Sequence, residues 1–471
     1  MPALPVPEAP ASTNTSADAA ALAAAAAQPG SPGHYDELRG RPNAAGASDT
    51  ALAPLWRRFF SATGRNGWRD MPSRRTSVQR KVLEDGASYN VHAPEGASAR
   101  TWPLELLPLL VGADEWAVIE RGVCQRVRLL EAALSDIYGP RRLLEEGLLP
   151  ATLIHGHPQY LRPMHGVQPP GGCGLHLVAV DLARGPDGRW WVVGHRTQAP
   201  SGLGYLLENR VIIGQQFPEA FRELRVQRVA STFRALLDGL VRASGAGSQA
   251  RLALLTPGPH NETYFEHVYL ARYLGLTLVE GSDLTVRDQR LYLKTLQGLE
   301  RVHVLLRRVD DEWLDPLELR ADSALGVPGL LEAVRAGELV LANMPGAGVL
   351  ESPGLTAFWP AVARSLLGEE LLLPATTSWW CGEDSVWAQQ RESLQDFVIV
   401  PTFPASEVTR DFVPVMGASL DAAQRKAWQA RIDEDPAAYT LMAPVRPSEL
   451  PVWQDGRIEP RPMVLRVYAL R

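Results

Sequence analysis

Lysine is almost missing from this chain. Among 471 residues it occurs only at Lys81, Lys294 and Lys426, so arginine supplies 44 of the 47 basic side chains. That scarcity excludes a P-loop NTPase, whose Gly-x-x-x-x-Gly-Lys-Ser/Thr motif needs a lysine at the phosphates. Only Lys294 precedes Ser or Thr, and the glycine loop is absent there. Cysteine is equally sparse. Cys124, Cys173 and Cys381 are widely spaced, so neither a disulfide framework nor a structural zinc site is readable, which suits a reducing, cytoplasmic setting. No apolar run approaches the roughly 20 residues of a membrane helix. A net charge of -6 argues against nucleic-acid binding, which usually brings a basic excess.

The first 33 residues are rich in Ala, Pro, Ser and Thr, bury little apolar surface and read as a disordered tail. From Asp114 to Ile137, apolar residues recur at steps of three and four, an amphipathic helix closed by Gly139-Pro140. Gly174–Leu182 and Arg189–Val193 read as strands joined through Gly185-Pro186-Asp187-Gly188. Arg222–Val241 reads as one helix, followed by a polar linker. Between Arg251 and about Gly346, strands alternate with helices, which predicts an α/β domain with a largely parallel core. Beyond Pro404 the pattern is too weak to place strands.

Three polar constellations could carry chemistry. Thr256-Pro-Gly-Pro-His-Asn-Glu-Thr-Tyr-Phe-Glu-His267 follows a predicted strand and opens a predicted helix, where ligands favour α/β sheets. Glu262 and Glu266 share a helix face beside His267, as either a substrate or metal site or a capped, solvated helix start. Arg307-Arg-Val-Asp-Asp-Glu312 ends another strand, and could bind phosphate with a cation or form a surface ion-pair network. The turn Gln198-Ala-Pro-Ser-Gly202 could offer backbone amides to phosphate, or be an ordinary polar loop. No zinc-peptidase motif occurs here, Glu351 spoils a dinucleotide reading of Gly346–Glu351, and Cys381 reads as a buried thiol.

Taken in order, these segments resemble the circularly permuted ATP-grasp proteins of type 2, relatives of the glutathionylspermidine-synthase ATP-grasp. The matching blocks include Gly122-Val-Cys-Gln-Arg126, Gln198-Ala-Pro-Ser-Gly202, Leu207-Glu-Asn-Arg210, Leu255-Thr-Pro-Gly258, Tyr264-Phe-Glu-His267, Arg307-Arg-Val-Asp310, Leu350-Glu-Ser-Pro353 and Trp379-Trp-Cys-Gly382. The resemblance implies an α/β, circularly permuted ATP-grasp fold with a Rossmann-like lobe. Its parts are a tail (1–33), an N-terminal helical region and grasp lobe (34–242), an α/β domain (250–356) and a C-terminal lobe (357–471) that lacks the end of the grasp. The subtype is usually continued by an alpha-E domain, which implies a separate alpha-E protein as partner.

The implied activity is ATP-dependent carboxylate–amine ligation through an acyl-phosphate on a small peptide or amino-acid-like substrate, with ATP and Mg²⁺. By position, Asp181 would bind metal. Arg196, Ser201, Gly202, Glu208, Asn209, Arg210 and Lys294 would face the nucleotide. Asn261, Glu262, Tyr264, Glu266 and His267 would face substrate, and Arg307, Arg308, Asp310 and Asp311 would be catalytic. Two departures stand out. The Glu-x-Asn pair that binds Mg²⁺ in related ATP-grasps is Gly194-His195-Arg196 here, with an aspartate expected at His195 in the closer subtype. A phosphate-contacting Lys or Arg is replaced by Val400. These departures raise a second expectation, a catalytically weakened relative that binds a substrate or partner.

Overall fold

The computed structural model describes residues 15–43, 51–89, 100–404 and 412–471. The N-terminal layer is helical: α1 (Thr15–Ala26), α2 (Pro54–Arg69) and α3 (Met71–Glu84). Here the expectation of disorder needs correction for residues 15–26. Alanine loses little entropy in a helix, and Ala19 and Ala23, four apart, bury one stripe as α1 packs on α2. Residues 1–14 lie outside the described residues.

The long helix α4 (Ala113–Tyr138) follows the expected periodicity, burying Ile119, Val123, Leu130, Leu134 and Ile137. The hairpin also forms, with β1 (Leu177–Arg184) paired antiparallel to β2 (Trp190–Arg196). After the Pro-Ser-Gly turn comes α5 (Leu203–Gln216). The single helix expected over 222–241 is broken. A short helix Pro218–Glu223 ends near Arg225, whose φ of 51° cannot continue it, and α6 (Ala230–Ser244) begins afresh.

The α/β region matches its prediction. Strands β3 (Leu252–Leu255), β4 (Thr277–Val279), β5 (Leu284–Arg287), β6 (Arg290–Thr295), β7 (Gly298–Arg301), β8 (Val304–Arg307) and β9 (Val340–Ala342) are interleaved with α7 (Tyr264–Leu274) and α8 (Leu330–Arg335). One sheet has the order β9-β8-β3-β4 and is parallel throughout, while β5, β6 and β7 form a separate antiparallel sheet. Strands β3, β8 and β9 are almost continuously buried, as strands covered on both faces must be, while the edge strand β4 exposes Thr277.

The C-terminal lobe holds α9 (Trp359–Leu367) and the antiparallel strands β10 (Ser378–Trp380), β11 (Val398–Pro401), β12 (Val415–Met416) and β13 (Tyr439–Met442). The chain then returns. β14 (Leu465–Leu470) pairs with β1 in the N-terminal hairpin sheet, so its order is β14-β1-β2. The boundary expected at residue 357 therefore does not separate the sheets, because residues 465–470 belong to the hairpin. Among the described residues, no helix is long and apolar enough to cross a membrane.

Candidate functional site

The hairpin strand β2 runs into the turn Thr197–Gly202 and then into α5, and residues remote in sequence hold this turn from several sides. Glu351 accepts from the Thr197 and Gln198 amides at 2.6 and 2.8 Å and pairs with Arg196 at 3.4 Å. Arg308 donates to the Pro200 carbonyl at 2.7 Å. Tyr468 and Arg466, both on β14, donate to the Ser201 carbonyl at 2.6 and 3.4 Å. Gly202, with φ 109°, starts α5 in the left-handed region, and a Cβ there would lie 2.1 Å from the Tyr468 hydroxyl oxygen.

Glu266, on α7 and fully buried, occupies the start of α5. Its carboxylate accepts from the Gly202 amide at 2.8 Å and the Gly204 amide at 3.3 Å, and pairs with Arg308 at 2.7 Å. A carboxylate at a helix N-terminus satisfies amides that have no partner within the helix. The same bonds mean that the Gly202 amide, expected to face phosphate, already has an anionic partner. His267 is buried beside this pair. Its Nδ1 contacts Thr256 Oγ1 at 2.9 Å and its Nε2 contacts Thr263 Oγ1 at 3.2 Å. Burial, aided by Arg308, lowers its pKa to about 2, so the ring stays neutral and ties the 256–263 loop to α7.

Arg307 and Asp311 form a second buried unit. Their ion pair is 2.8 Å long, Arg307 also donates to the Asn343 and Val309 carbonyls, and Asp311 accepts from the Gly346 amide at 3.1 Å. Burial pushes the Asp311 carboxyl up to about 6, against the opposing pull of Arg307. Asn343 itself bonds to four backbone groups, the amides of His176 and Leu177 and the carbonyls of Leu177 and Thr197. Four of the residues expected to react or bind substrate, Glu266, Arg307, Arg308 and Asp311, thus form a buried scaffold under the turn. Asp310 is exposed at its edge.

Asp181 lies on β1 with both carboxylate oxygens on Arg466, at 2.7 and 2.9 Å. The strand register sets Gly194 opposite Asp181, and exposed Arg196 two residues further along the same face. Mg²⁺ prefers octahedral oxygen donors, usually carboxylates. Here the carboxylate is engaged by a guanidinium, and the neighbouring positions carry no side chain and a cation. Among the described residues, no group of three or more His, Cys, Asp or Glu could hold a metal. The residues present do not fit Mg²⁺. His195 plays no part in this face, since its cross-strand partner is Val180, which points to the opposite side.

The remaining expected residues disperse. Glu208 is buried toward Asp85 and Tyr269, Asn209 accepts from Trp102 Nε1 at 2.8 Å, and Arg210 donates to the Gln227 carbonyl. None of these three bonds reaches the turn, so they build the contact between α5 and its helical surroundings, not a phosphate wall. Lys294 donates to the Ser282 carbonyl at 2.8 Å on the separate antiparallel sheet. Asn261 holds Thr263, Glu262 is exposed beside Tyr89, and Tyr264 opens α7 half-buried. Val400 is buried opposite Thr440.

Sequence reasoning gave no role to Glu351, Arg466, Tyr468 or Asn343. Glu351 lies in one of the matching blocks, Leu350-Glu-Ser-Pro353, where its only sequence signal is that it spoils a glycine motif.

Comparison with known proteins agrees with this architecture. Residues 108–471 match the family described as circularly permuted ATP-grasp type 2. An uncharacterised protein of Synechocystis sp. is 33% identical over 395 residues, covering 84% of this chain and 81% of its own length. An uncharacterised protein of Mycobacterium tuberculosis is 37% identical over 397 residues, covering 82% of this chain but 44% of its own, so this chain spans less than half of that relative. Among solved structures, a glutathione synthetase-like effector from Globodera pallida in its apo form shares the fold with a TM-score of 0.54 at 13% identity, covering 85% of this chain and 95% of that one. ATP-grasp membership suggests ATP-dependent ligase activity, and the family generally uses ATP and Mg²⁺. This chain belongs to the circularly permuted ATP-grasp type 2 family.

Proposed function

We propose that this chain is a ligand-binding member of its family. It recognises an anionic, phosphate- or carboxylate-bearing ligand through arginine, and amide-bond formation by the chain alone is slow or absent. The observation that carries this reading is the engagement of both Asp181 oxygens by Arg466, with Gly194 and Arg196 beside them on the same face. Phosphoryl transfer from ATP depends on a metal that bridges the phosphates and neutralises developing charge. A guanidinium can bind phosphate as a rigid, bidentate donor, but it does not move with the nucleotide as a coordinated metal does. Arg196, exposed at the mouth of the turn and only loosely paired with Glu351, is the side chain placed to meet such a ligand. The test is ADP release from ATP with candidate carboxylates and amines. No Mg²⁺-dependent turnover above background is expected, and robust turnover by the chain alone would refute the proposal.

Family membership favours a second reading, an ATP-dependent carboxylate–amine ligase that makes an amide through an acyl-phosphate on a small peptide or amino-acid-like substrate. In that reading a separately encoded alpha-E protein joins this chain. Adding that protein to the same assay separates the two, since Mg²⁺-dependent ADP formation only in its presence would establish the ligase.

A further inference from the structure

On the opposite side of the hairpin, Arg126 lies within α4 with 1% of its surface exposed. Its Nη2 donates to the Leu373 carbonyl at 3.0 Å, whereas its Nη1 has no hydrogen-bond partner. Among the described residues, no carboxylate pairs with it. Burial lowers its pKa to about 10, which leaves the group charged at neutral pH. A buried, uncompensated charge is strongly unfavourable, and water can satisfy a donor without cancelling the charge.

Three further buried side chains, on elements that pack around α4 and β2, carry unpartnered polar atoms. His195, on the β2 face turned away from Asp181, has an unpartnered Nε2, and Arg126 is among the charges that depress its pKa to about 3. Its ring centroid is 5.8 Å from that of Trp359, whose indole N–H is also buried without a partner. Trp359 opens α9, which packs on α4. Thr376 contributes an unpartnered hydroxyl from the segment that follows Leu373, and its amide donates to the Val192 carbonyl on β2 at 3.1 Å. α4, β2, α9 and the 373–376 segment thus each carry a buried polar atom without a partner, on elements packed together beside the buried charge of Arg126.

We propose that Arg126, His195, Trp359 and Thr376 hold a small monovalent anion, of the chloride or bromide class, that neutralises Arg126 and fastens the hairpin to the C-terminal lobe. The buried charge of Arg126 sets the valence, and its guanidinium excludes a cation. The site is separate from the Asp181 face and does not depend on how that face is used.

The experiment is thermal melting of the full chain at constant ionic strength, with sodium gluconate replaced stepwise by sodium chloride or bromide. A saturable rise in Tm of roughly 2–4 °C is expected from binding to the folded state alone. Identical melting in the two salts at every ratio would overturn the proposal and leave water as the occupant. His195→Asp supplies a carboxylate in place of the anion, so its Tm should lose the halide dependence. A variant that keeps the full dependence would overturn the assignment to these residues. Arg126→Met should lose the dependence as well, and it gives an independent reading if His195→Asp folds poorly. In bromide-soaked crystals, anomalous density beside Arg126 Nη1 is expected, and its absence at saturating bromide would contradict the site.

Discussion

Asp181 gives both of its carboxylate oxygens to one guanidinium, that of Arg466, at 2.7 and 2.9 Å, although 285 residues separate the two in sequence. Arg466 also reaches the Ser201 carbonyl, so the pair that occupies the expected metal position helps hold the Pro-Ser-Gly turn. One contact thereby links the return of β14 to the hairpin, the shape of the turn and the loss of a metal ligand.

Oxygen donors restored to that face should restore metal dependence. The double variant Gly194→Glu/Arg196→Asn places a carboxylate and an amide beside Asp181. With Arg466→Gln added to release the aspartate, ATP affinity should rise about tenfold or more on adding Mg²⁺, because hard oxygen ligands then face the ion. Calorimetry with and without Mg²⁺ reads this directly. An affinity indifferent to Mg²⁺ in the triple variant would mean that the site lies elsewhere. His195→Asp alone should leave ATP affinity unchanged, since that side chain is on the other face of the hairpin.

Glu266 should matter chiefly to stability. Glu266→Gln leaves Arg308 buried with a weakened partner and loosens the start of α5, at a cost of roughly 3–5 kcal/mol. Equilibrium denaturation checks the value. Glu266→Gln combined with Arg308→Met should be less destabilising than the sum of the two single changes, because the unpaired charge is gone. Strict additivity would show that the pair is not coupled.

The legible parts of the sequence were the locally written ones. The helix Ala113–Tyr138, the hairpin around Gly185–Gly188 and the parallel strands each carry their pattern within a short window. The N-terminal alanines misled, since low complexity suits a tail as well as a close-packed helix, and only the stripe of α2 against which Ala19 and Ala23 pack decides between them. After Pro404, Tyr439–Met442 and Leu465–Leu470 take their partners from distant segments, whereas Glu449–Gln454 and Arg457–Pro462 form a local hairpin across Asp455-Gly456 whose signal was legible and went unread. In the site, residue types were readable but their directions were not. Glu262 and Glu266 are four residues apart, but α7 begins only at Tyr264, so the first is exposed in the preceding turn and the second is sealed against Arg308. Glu351 caps amides 154 and 153 residues away, a relationship with no local signature.

The chain should be acid-labile. His157, His176, His195 and His267 are buried, with pKa values lowered to about 3, 4, 3 and 2, so the unfolded chain binds protons there that the folded chain refuses. Their contribution is fully present above the ordinary histidine pKa near 6.5 and is lost as pH falls below it toward the folded values. Asp311 acts in the opposite sense. Its raised pKa of about 6 contributes stability below the ordinary carboxylate range that is lost as pH rises through 6, and burial of Glu37 and Glu208 acts in the same sense, so these carboxyls offset part of the contribution from four histidines. Tm should therefore fall between pH 7 and pH 5, and His267→Gln should make the fall shallower. A Tm that rises on acidification would be inconsistent with four buried neutral imidazoles.

The most direct test of the arginine-for-metal account is calorimetric titration of the unaltered chain with ATP, once with excess Mg²⁺ and once with a chelator. Binding that is equal within about twofold in the two conditions, or tighter with the chelator because the free nucleotide carries more negative charge, is the expected result. Binding that appears only with Mg²⁺ would contradict the account, and would mean that the Asp181–Arg466 pair opens to admit the metal.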